Sequence, residues 1–194
     1  MKKPPKSSRV YVVPYRRKRQ GKTNYRKRLK LLQGNTTRIV VRKSLHMIRA
    51  QLVDYVPTGD SVKASATTQD IAKLGWKGGN NVPAAYLVGL LLARKAKHKK
   101  IAGAVADLGL APTIKGSQLF AVLKGAIDGG LAVPVSKEIM PDQKRLNGEH
   151  IAHFAGKLDA EKQKKQFSHY LKVGLKPSEL PHHVGEIKKK IMEM

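Results

Sequence analysis

Alternating apolar and polar side chains predict three consecutive strands in the first half of the chain. The first strand is expected over residues 37–44, the second over 45–55 and the third over 61–68. The turn-forming sequence Pro57-Thr58-Gly59-Asp60 separates the second strand from the third. Because these connections are short, we expect an antiparallel meander.

The same alternation gives the meander one apolar face and one basic face. The apolar set expected in the core is Ile39, Val41, Ile48, Ala50, Leu52, Val62, Ala64 and Ala66. The opposite set is Arg38, Arg42, Arg49, Gln51, Lys63, Ser65 and Thr67. Antiparallel sheets commonly leave one face in water. The basic face is therefore interpreted either as a solvated surface or as a surface that meets a polyanion.

Helical periodicity follows the meander. Residues 82–97 are apolar on nearly every side, which predicts a buried central helix. Residues 101–107 form an apolar run typical of a strand, and residues 117–129 predict a second helix. An edge strand is expected over 131–135. The predicted fold class is therefore α/β, with a mixed sheet covered by helices.

The last third of the chain is predicted to be mainly helical. A short helix is expected over residues 147–155. Leu180, Val184, Ile187 and Ile191 recur at helical spacing, which suits docking on the core or on a neighbouring protein. We divide the chain into three parts on these patterns. They are a basic arm over residues 1–32, a globular α/β core over 33–156 and a helical C-terminal extension over 157–194.

Charge adds a strong asymmetry to this layout. The 194 residues include 39 Lys and Arg against 13 Asp and Glu, for a formal net charge of +26. The first acidic residue is Asp54, and the 53 residues before it contain 17 Lys and Arg. Such a segment cannot neutralise its own charge. This distribution favours nucleic acid as the partner over a membrane or a solubilising tail.

The basic arm combines cations with aromatic rings. Tyr11, Tyr15 and Tyr25 are interleaved with Arg and Lys, and tyrosines stack on unpaired bases while cations contact phosphates in RNA-binding proteins. The alternative is that these rings fix the arm to its own domain. The arm is expected to be disordered without its partner. Its end is expected to be a helix that Thr23 or Asn24 caps, with Leu29 and Leu32 on one side.

A glycine-rich loop precedes the central helix. It reads Gly75-Trp76-Lys77-Gly78-Gly79-Asn80-Asn81 and leads to Pro83 at the helix start. Free amide groups at a helix N-terminus can hold phosphate, although the same residues also make an ordinary loop and cap. Trp76 either covers the core or stacks on a nucleotide. The basic end of the helix, residues 94–100, is interpreted as a solvated terminus that the helix dipole favours.

Other functional classes find little support in the sequence. The longest apolar run, residues 84–93, has 10 residues, about half of the ~20 that a membrane span needs. We identify no secretory signal, and the arm lacks the apolar face of a membrane-surface helix. The absence of cysteine excludes disulfides and thiolate metal sites. His150 with His153 and His182 with His183 lack a third ligand at diagnostic spacing, so no metal or other cofactor is expected.

Two alternatives to an RNA-binding structural protein stay open. A metal-dependent nuclease of ribonuclease-H-like architecture would use Asp107 at the end of a strand. That chemistry requires clustered carboxylates, but the first strand presents Arg and Lys, and Asp54 and Asp70 lie elsewhere. A general DNA-compacting protein would explain the charge and would leave the elaborate core unexplained.

Several motifs, in the same order along the chain, resemble one known family. They are residues 15–29 (Tyr-Arg-Arg-Lys-Arg-Gln-Gly-Lys-Thr-Asn-Tyr-Arg-Lys-Arg-Leu), 41–44 (Val-Arg-Lys-Ser), 49–52 (Arg-Ala-Gln-Leu), 84–94 and 125–131. They are similar to the large-subunit ribosomal protein family that binds 5S ribosomal RNA, numbered eighteen in bacteria and five in eukaryotes. The basic arm and the C-terminal extension favour the archaeal and eukaryotic branch. The compact length and the Gly-Ala-Ile-Asp segment favour the archaeal type.

The resemblance implies a structural adaptor without catalytic activity. Such an adaptor binds 5S rRNA and attaches it to the large rRNA in the central protuberance of the cytoplasmic ribosome, beside neighbouring large-subunit proteins. The resemblance implies no membrane partner and no small-molecule substrate. It also implies an αβα core of the translational-machinery type, topologically related to ribonuclease H.

The expected RNA-binding residues lie in the arm, the meander and the glycine-rich loop. The set is Arg9, Tyr11, Tyr15, Arg16, Arg17, Lys18, Arg19, Lys22, Thr23, Tyr25, Arg26, Arg28, Arg38, Arg42, Lys43, Arg49, Trp76, Lys77 and Asn80. The arm residues from Arg16 to Arg28, together with Arg38, Arg42 and Lys43, match the RNA-contacting regions of the family by position.

Overall fold

A four-stranded mixed sheet lies at the centre of the protein. The computed structural model describes residues 12–194, apart from the side chain of Ala160. The strands are β1 (Arg38–Lys43), β2 (Ile48–Val56), β3 (Gly59–Thr67) and β4 (Val105–Asp107), in the spatial order β3-β2-β1-β4. The first three strands are antiparallel, which confirms the predicted meander, and β4 joins parallel to β1.

Helices precede, cover and follow the sheet. They are α1 (Arg16–Arg19), α2 (Tyr25–Gln33), α3 (Thr68–Lys73), α4 (Val82–His98), α5 (Gln118–Asp128), α6 (Gln143–Asn147), α7 (Glu149–Gly156), α8 (Ala160–Gln166), α9 (Ser168–Lys172) and α10 (Leu180–Glu193), with short 3₁₀ turns at Lys137–Ile139 and Pro177–Glu179. The predicted α/β class with a mixed, helix-covered sheet is confirmed.

The central helix α4 packs directly against α5 at two glycines. A Cβ atom on Gly89 would lie 2.0 Å from the Val122 carbonyl oxygen, and one on Gly125 would lie 2.1 Å from the Tyr86 carbonyl oxygen. Any larger residue at either position would force the two backbones apart. This close crossing holds α4 and α5 together on the apolar face of the sheet, where Ile39 is fully buried.

The C-terminal helix α10 packs on the same core. The stripe of Leu180, Val184, Ile187 and Ile191 is at most 2% exposed, and α10 contacts α4. The predicted stripe is therefore confirmed, and its partner within the described chain is the central helix. None of the helices between residues 12 and 194 combines the length and hydropathy that crossing a membrane requires.

Three sequence predictions about elements need correction. Val62 is 50% exposed, because the register of β2 and β3 shifts between Leu52 and Val53 and breaks the alternation. The edge strand expected over residues 131–135 is reduced to a single parallel bridge between Gly103 and Ala132. The helix expected over 147–155 begins two residues later, as α7, because Gly148, with a φ of +81°, ends the separate helix α6, which was not predicted.

Candidate nucleic-acid interface

Helix α2 lies beside the sheet and turns one face toward it. The side chain of Asn24 accepts a hydrogen bond from the Lys27 amide at 3.1 Å, so Asn24 rather than Thr23 caps the helix. Residues 24, 27, 28 and 31 follow the helical spacing, and all four line one groove. Leu29, which was expected on one side of the helix with Leu32, is 59% exposed. The cap therefore fixes which cations of α2 face the sheet.

Two arginines and one carboxylate connect α2 to the hairpin of β2 and β3. Arg28 Nη2 and Arg38 Nη2 each lie 3.0 Å from Asp60 Oδ1. Arg38 Nη1 also contacts Asp107 Oδ2 at 3.2 Å, and the Arg38 side chain is only 1% exposed. The prediction that Arg38 belongs to an open basic face is therefore wrong, because two carboxylates enclose its guanidinium group. Its role in the structure is to hold α2, the hairpin and β4 together.

The ionisation of Asp60 reflects this arrangement. Partial burial by itself would raise the pKa of Asp60, but the hydrogen bonds and positive charges of Arg28 and Arg38 outweigh it and lower the pKa below its ordinary value of 3.8. Asp60 is therefore a charged anchor for both arginines at neutral pH.

Arg42 follows Arg38 along the same face of β1 and has a different environment. Its side chain is 50% exposed. Arg42 Nη1 donates to the Asp107 carbonyl oxygen at 2.7 Å, and Nη2 contacts Asp107 Oδ1 at 3.1 Å. Asp107 thus orients the guanidinium group from one side and leaves the other side open to a ligand.

The loop after β4 approaches Arg42 closely and requires a glycine there. Gly109 has a φ of +64°, and a Cβ atom on it would lie 3.0 Å from Arg42 Cζ. Its carbonyl oxygen accepts a hydrogen bond from Lys27 Nζ at 3.2 Å, and its amide donates to Asp107 Oδ1 at 2.9 Å. The loop is therefore held by both α2 and β4.

These elements enclose a groove with a volume of about 900 Å³, which we call the basic groove. It lies between α2, the end of β1 and the loop of residues 108–117 that connects β4 to α5. Its cationic lining residues are Arg17, Lys22, Lys27, Arg28, Arg42 and Lys43. Asp60 and Asp107, the acidic residues that line it, are both paired with arginines. The charge of the groove therefore favours an anionic ligand.

A second pair of like charges lies on the sheet next to the basic groove. Arg42 and Arg49 are directly opposite each other on β1 and β2, and both are exposed. Like charges in such cross-strand pairs reduce the stability of a sheet. An external anion that binds between them would relieve this repulsion.

The other predicted arm residues are exposed or contact one another. Tyr15 and Tyr25 lie with ring centroids 5.1 Å apart, and Arg17 Nε donates to Thr23 Oγ1 at 2.9 Å. Arg16, Lys18, Arg19, Lys22 and Arg26 are exposed. Arg9 and Tyr11 lie outside the described residues. Most of the predicted arm surface is therefore accessible to a partner.

No residue of the glycine-rich loop lines the basic groove, and the loop is tied to α10. Trp76 is 6% exposed, donates from Nε1 to the Gly79 carbonyl oxygen at 2.9 Å and stacks on His183 with centroids 5.3 Å apart. The interpretation of Trp76 as a cover for the core is supported, and the nucleotide-stacking alternative is wrong because both the ring and its polar atom are occupied. Lys77 is exposed. Asn80 donates to the Leu45 carbonyl oxygen at 3.0 Å and links the loop to the turn after β1.

Fewer backbone amide groups are free at the start of α4 than the sequence predicted. Asn81 Oδ1 accepts a hydrogen bond from the Ala84 amide at 2.9 Å, and the Ala85 amide donates to the Asn81 carbonyl oxygen at 3.0 Å. The ordinary cap, rather than a phosphate site, accounts for these residues.

The geometry gives no support to metal-dependent catalysis. Residues 12–194 contain no group of three or more His, Asp or Glu side chains that could hold a metal ion. Asp107, the candidate nuclease carboxylate, is bound by Arg38 and Arg42. The pKa of His150, one of the candidate metal ligands, is below its ordinary value. Partial burial is the larger cause, and the positive charge of Arg145 is the smaller one.

Sequence reasoning missed part of the basic groove. Lys27 lines it but was not among the predicted binding residues, although a position three residues after the cap Asn24 lies on the same side of the helix as the cap. Leu110 and Ile114 also line it. No sequence signal distinguishes these two from ordinary loop residues.

Comparison with known proteins identifies the family. A model of the family described as ribosomal large subunit proteins 60S L5 and 50S L18 matches residues 9–104 and 96–136. The large ribosomal subunit protein uL18 of Methanococcus maripaludis is 49% identical over 187 residues, which cover 95% of this chain and 97% of that protein. The chain therefore belongs to the large-subunit ribosomal protein family of 60S L5 and 50S L18, in its archaeal uL18 type.

Proposed function

We propose that this chain binds 5S rRNA and attaches it to the large rRNA in the central protuberance, beside neighbouring large-subunit proteins. Membership of the family makes the chain an RNA-binding component of the large subunit of the cytoplasmic ribosome. The identity of the RNA and the position in the subunit are the proposed part.

The observation that carries the proposal is the excess of positive over negative charge around the basic groove. Six cationic residues line it, and its two acidic residues are already ion-paired. Arg42 and Arg49 extend the positive surface across the sheet. Phosphates that replace condensed counterions on these side chains would supply most of the affinity.

The proposed mechanism divides the work between the arm and the folded surface. Exposed arm residues such as Arg17 contact phosphates of any RNA, because charge alone determines that attraction. The sheet face at Arg42, held at a fixed angle by Asp107, recognises the folded shape of the RNA and its 2′-hydroxyl groups. The chain acts as an adaptor and carries out no chemical step.

Binding to refolded 5S rRNA at near-physiological salt tests the proposal. Transfer RNA and duplex DNA serve as competitors, magnesium is present, and RNA integrity is checked on a gel. We expect saturable binding that the competitors displace poorly. Equal competition by all three nucleic acids would leave only a generic polyanion binder. Magnesium-dependent cleavage of the RNA would support the nuclease instead.

A further inference from the structure

The basic groove has an apolar wall that contact with phosphates does not require. Leu110 and Ile114, on the loop after β4, are 52% and 61% exposed and both line the groove. Phosphates need only cations and hydrogen-bond donors. A groove of about 900 Å³ that both apolar and polar side chains line has the size and chemistry of a pocket for a compact organic group.

We infer that the basic groove holds an unpaired nucleotide of the bound RNA. The base lies against Leu110 and Ile114, and its phosphate lies beside Lys22 and Lys43. Both lysines line the groove, and within residues 12–194 neither ammonium group has a hydrogen-bond or ion-pair partner. This inference rests on the proposed function, since it concerns how the same RNA is held.

The charges of the groove distinguish a nucleotide from an apolar peptide. A peptide helix or strand would have to bring Lys22, Lys43 and Arg42 out of water without neutralising them. A nucleotide supplies an apolar face and an anion in one group. The base must be unpaired, because a base inside a duplex is stacked and does not expose its face to a protein.

The groove is formed before any ligand binds. Lys27 and Asp107 hold Gly109 from opposite sides, at 3.2 Å and 2.9 Å. Asp60 holds Arg28 of α2 at 3.0 Å. Both walls are therefore fixed by contacts within the protein. A preformed site reduces the ordering cost of binding, which suits the selection of one base in a folded RNA.

Removal of the apolar wall without a change of charge tests this inference. Leu110→Ala with Ile114→Ala removes the groove wall, and Leu171→Ala with Val173→Ala is the matched control. The control residues are 43% and 39% exposed and do not line the groove. Each double variant is titrated against refolded 5S rRNA and against a fully paired RNA duplex of similar length over a range of salt concentrations.

We expect the groove variant to bind 5S rRNA about five- to tenfold more weakly, because it buries less apolar area against the base, with duplex affinity unchanged. The slope of log affinity against log salt should stay that of the wild type, because no phosphate contact is lost. The control variant should bind both RNAs as the wild type does. Equal affinity of the groove variant and the wild type for 5S rRNA would overturn the inference and leave the groove to another occupant, such as a protein segment.

Chemical probing of the RNA gives a second readout that does not depend on affinity. Dimethyl sulfate modifies exposed base-pairing atoms of unpaired A and C. We expect the wild-type protein to protect at least one unpaired A or C in 5S rRNA, and the groove variant to lose that protection at saturating protein. Identical protection by both would contradict the inference.

These outcomes separate the inference from the proposed function. A wild-type chain that does not prefer 5S rRNA to transfer RNA would overturn both. A wild-type preference that the groove variant keeps, with unchanged base protection, would overturn the nucleotide pocket alone.

Discussion

Two regions of this protein, the end of α4 and the basic groove, are both rich in Lys and Arg but differ in what surrounds these side chains. The basic end of α4, residues 94–100, donates to carbonyl oxygens of the protein itself. Lys95 Nζ lies 2.8 Å from the Ser65 carbonyl oxygen, and Lys99 donates to that of Lys63. Arg94 and His98 contact the carbonyl oxygens of Met192 and Met194 in the same way, at the end of α10. Most of this cluster therefore holds the protein together.

The basic groove contains cations that the protein does not satisfy. Within residues 12–194, the ammonium groups of Lys22 and Lys43 have no hydrogen-bond or ion-pair partner, and the Arg42 side chain is half exposed. The density of Lys and Arg in the sequence is therefore a poor guide to a nucleic-acid surface. The carbonyl and carboxylate acceptors that the fold brings near each cation decide which cations stay available.

The largest expected effect concerns the arginine that the fold encloses. Arg38→Ala would leave Asp60 and Asp107 without their shared partner, and loss of one side of a buried ion pair costs about 3–5 kcal/mol of unfolding free energy. Urea denaturation monitored by circular dichroism measures it. Arg49→Ala, an exposed change on the neighbouring strand, should alter stability by less than about 0.5 kcal/mol. Similar stability of the two variants would mean that Arg38 is not the structural anchor described above.

The next largest effect is a difference in RNA selectivity between a variant in the arm and a variant on the sheet. Arg17→Ala should weaken binding to 5S rRNA and to transfer RNA by similar factors, because it removes a phosphate contact. Arg42→Ala should weaken binding to 5S rRNA by about tenfold and reduce the preference over transfer RNA. Competition titrations of both variants measure this. Equal losses on both RNAs for Arg42→Ala would refute the division of labour.

A smaller effect is expected at the basic end of α4. Lys95→Ala removes the hydrogen bond to Ser65 and an ion pair with Asp70 at 3.7 Å. We expect a loss of about 1 kcal/mol in unfolding free energy and no measurable loss of RNA affinity. A drop in 5S rRNA affinity with stability unchanged would place the RNA surface at this end of the molecule as well.

The smallest effect is the pH dependence that Asp60 contributes. Its pKa is below 3.8 in the folded protein, so its stabilising contribution is present above the unfolded value and is lost as the pH falls through the folded pKa. Asp60→Asn should therefore lower the urea midpoint near neutral pH, and its difference from the wild type should shrink in acid. Asp159→Asn, at a side chain that is 81% exposed, is the control. A difference that stays constant with pH would contradict the assigned ion pairs.

Periodicity was sufficient to predict the meander, the buried helix α4 and the stripe of α10. Each of these depends on a repeat that the sequence displays directly, such as Leu180, Val184 and Ile187 along one helical face. The break in alternation after Leu52 could not be predicted, because a register shift between two strands depends on how they pair.

The candidate site was predicted in part for a similar reason. Alternation correctly gave Arg38 and Arg42 the same face of β1, but it does not tell what covers that face. Asp60 and Asp107, which are 22 and 69 residues away from Arg38 in sequence, enclose the first arginine and leave the second exposed. Leu110 and Ile114 could be assigned to the groove only from the structure, because the conformation of the loop at Gly109 places them there.

The most direct test removes two charges from each region and compares the loss of RNA binding. Lys22→Ala with Lys43→Ala acts on the basic groove, and Lys95→Ala with Lys99→Ala acts on the lysines at the end of α4 that donate to carbonyl oxygens of β3. Dissociation constants for refolded 5S rRNA are measured at near-physiological salt. We predict a loss of about tenfold or more for the groove variant and less than about twofold for the α4 variant. Equal losses would contradict the claim that the basic groove is the RNA-binding surface.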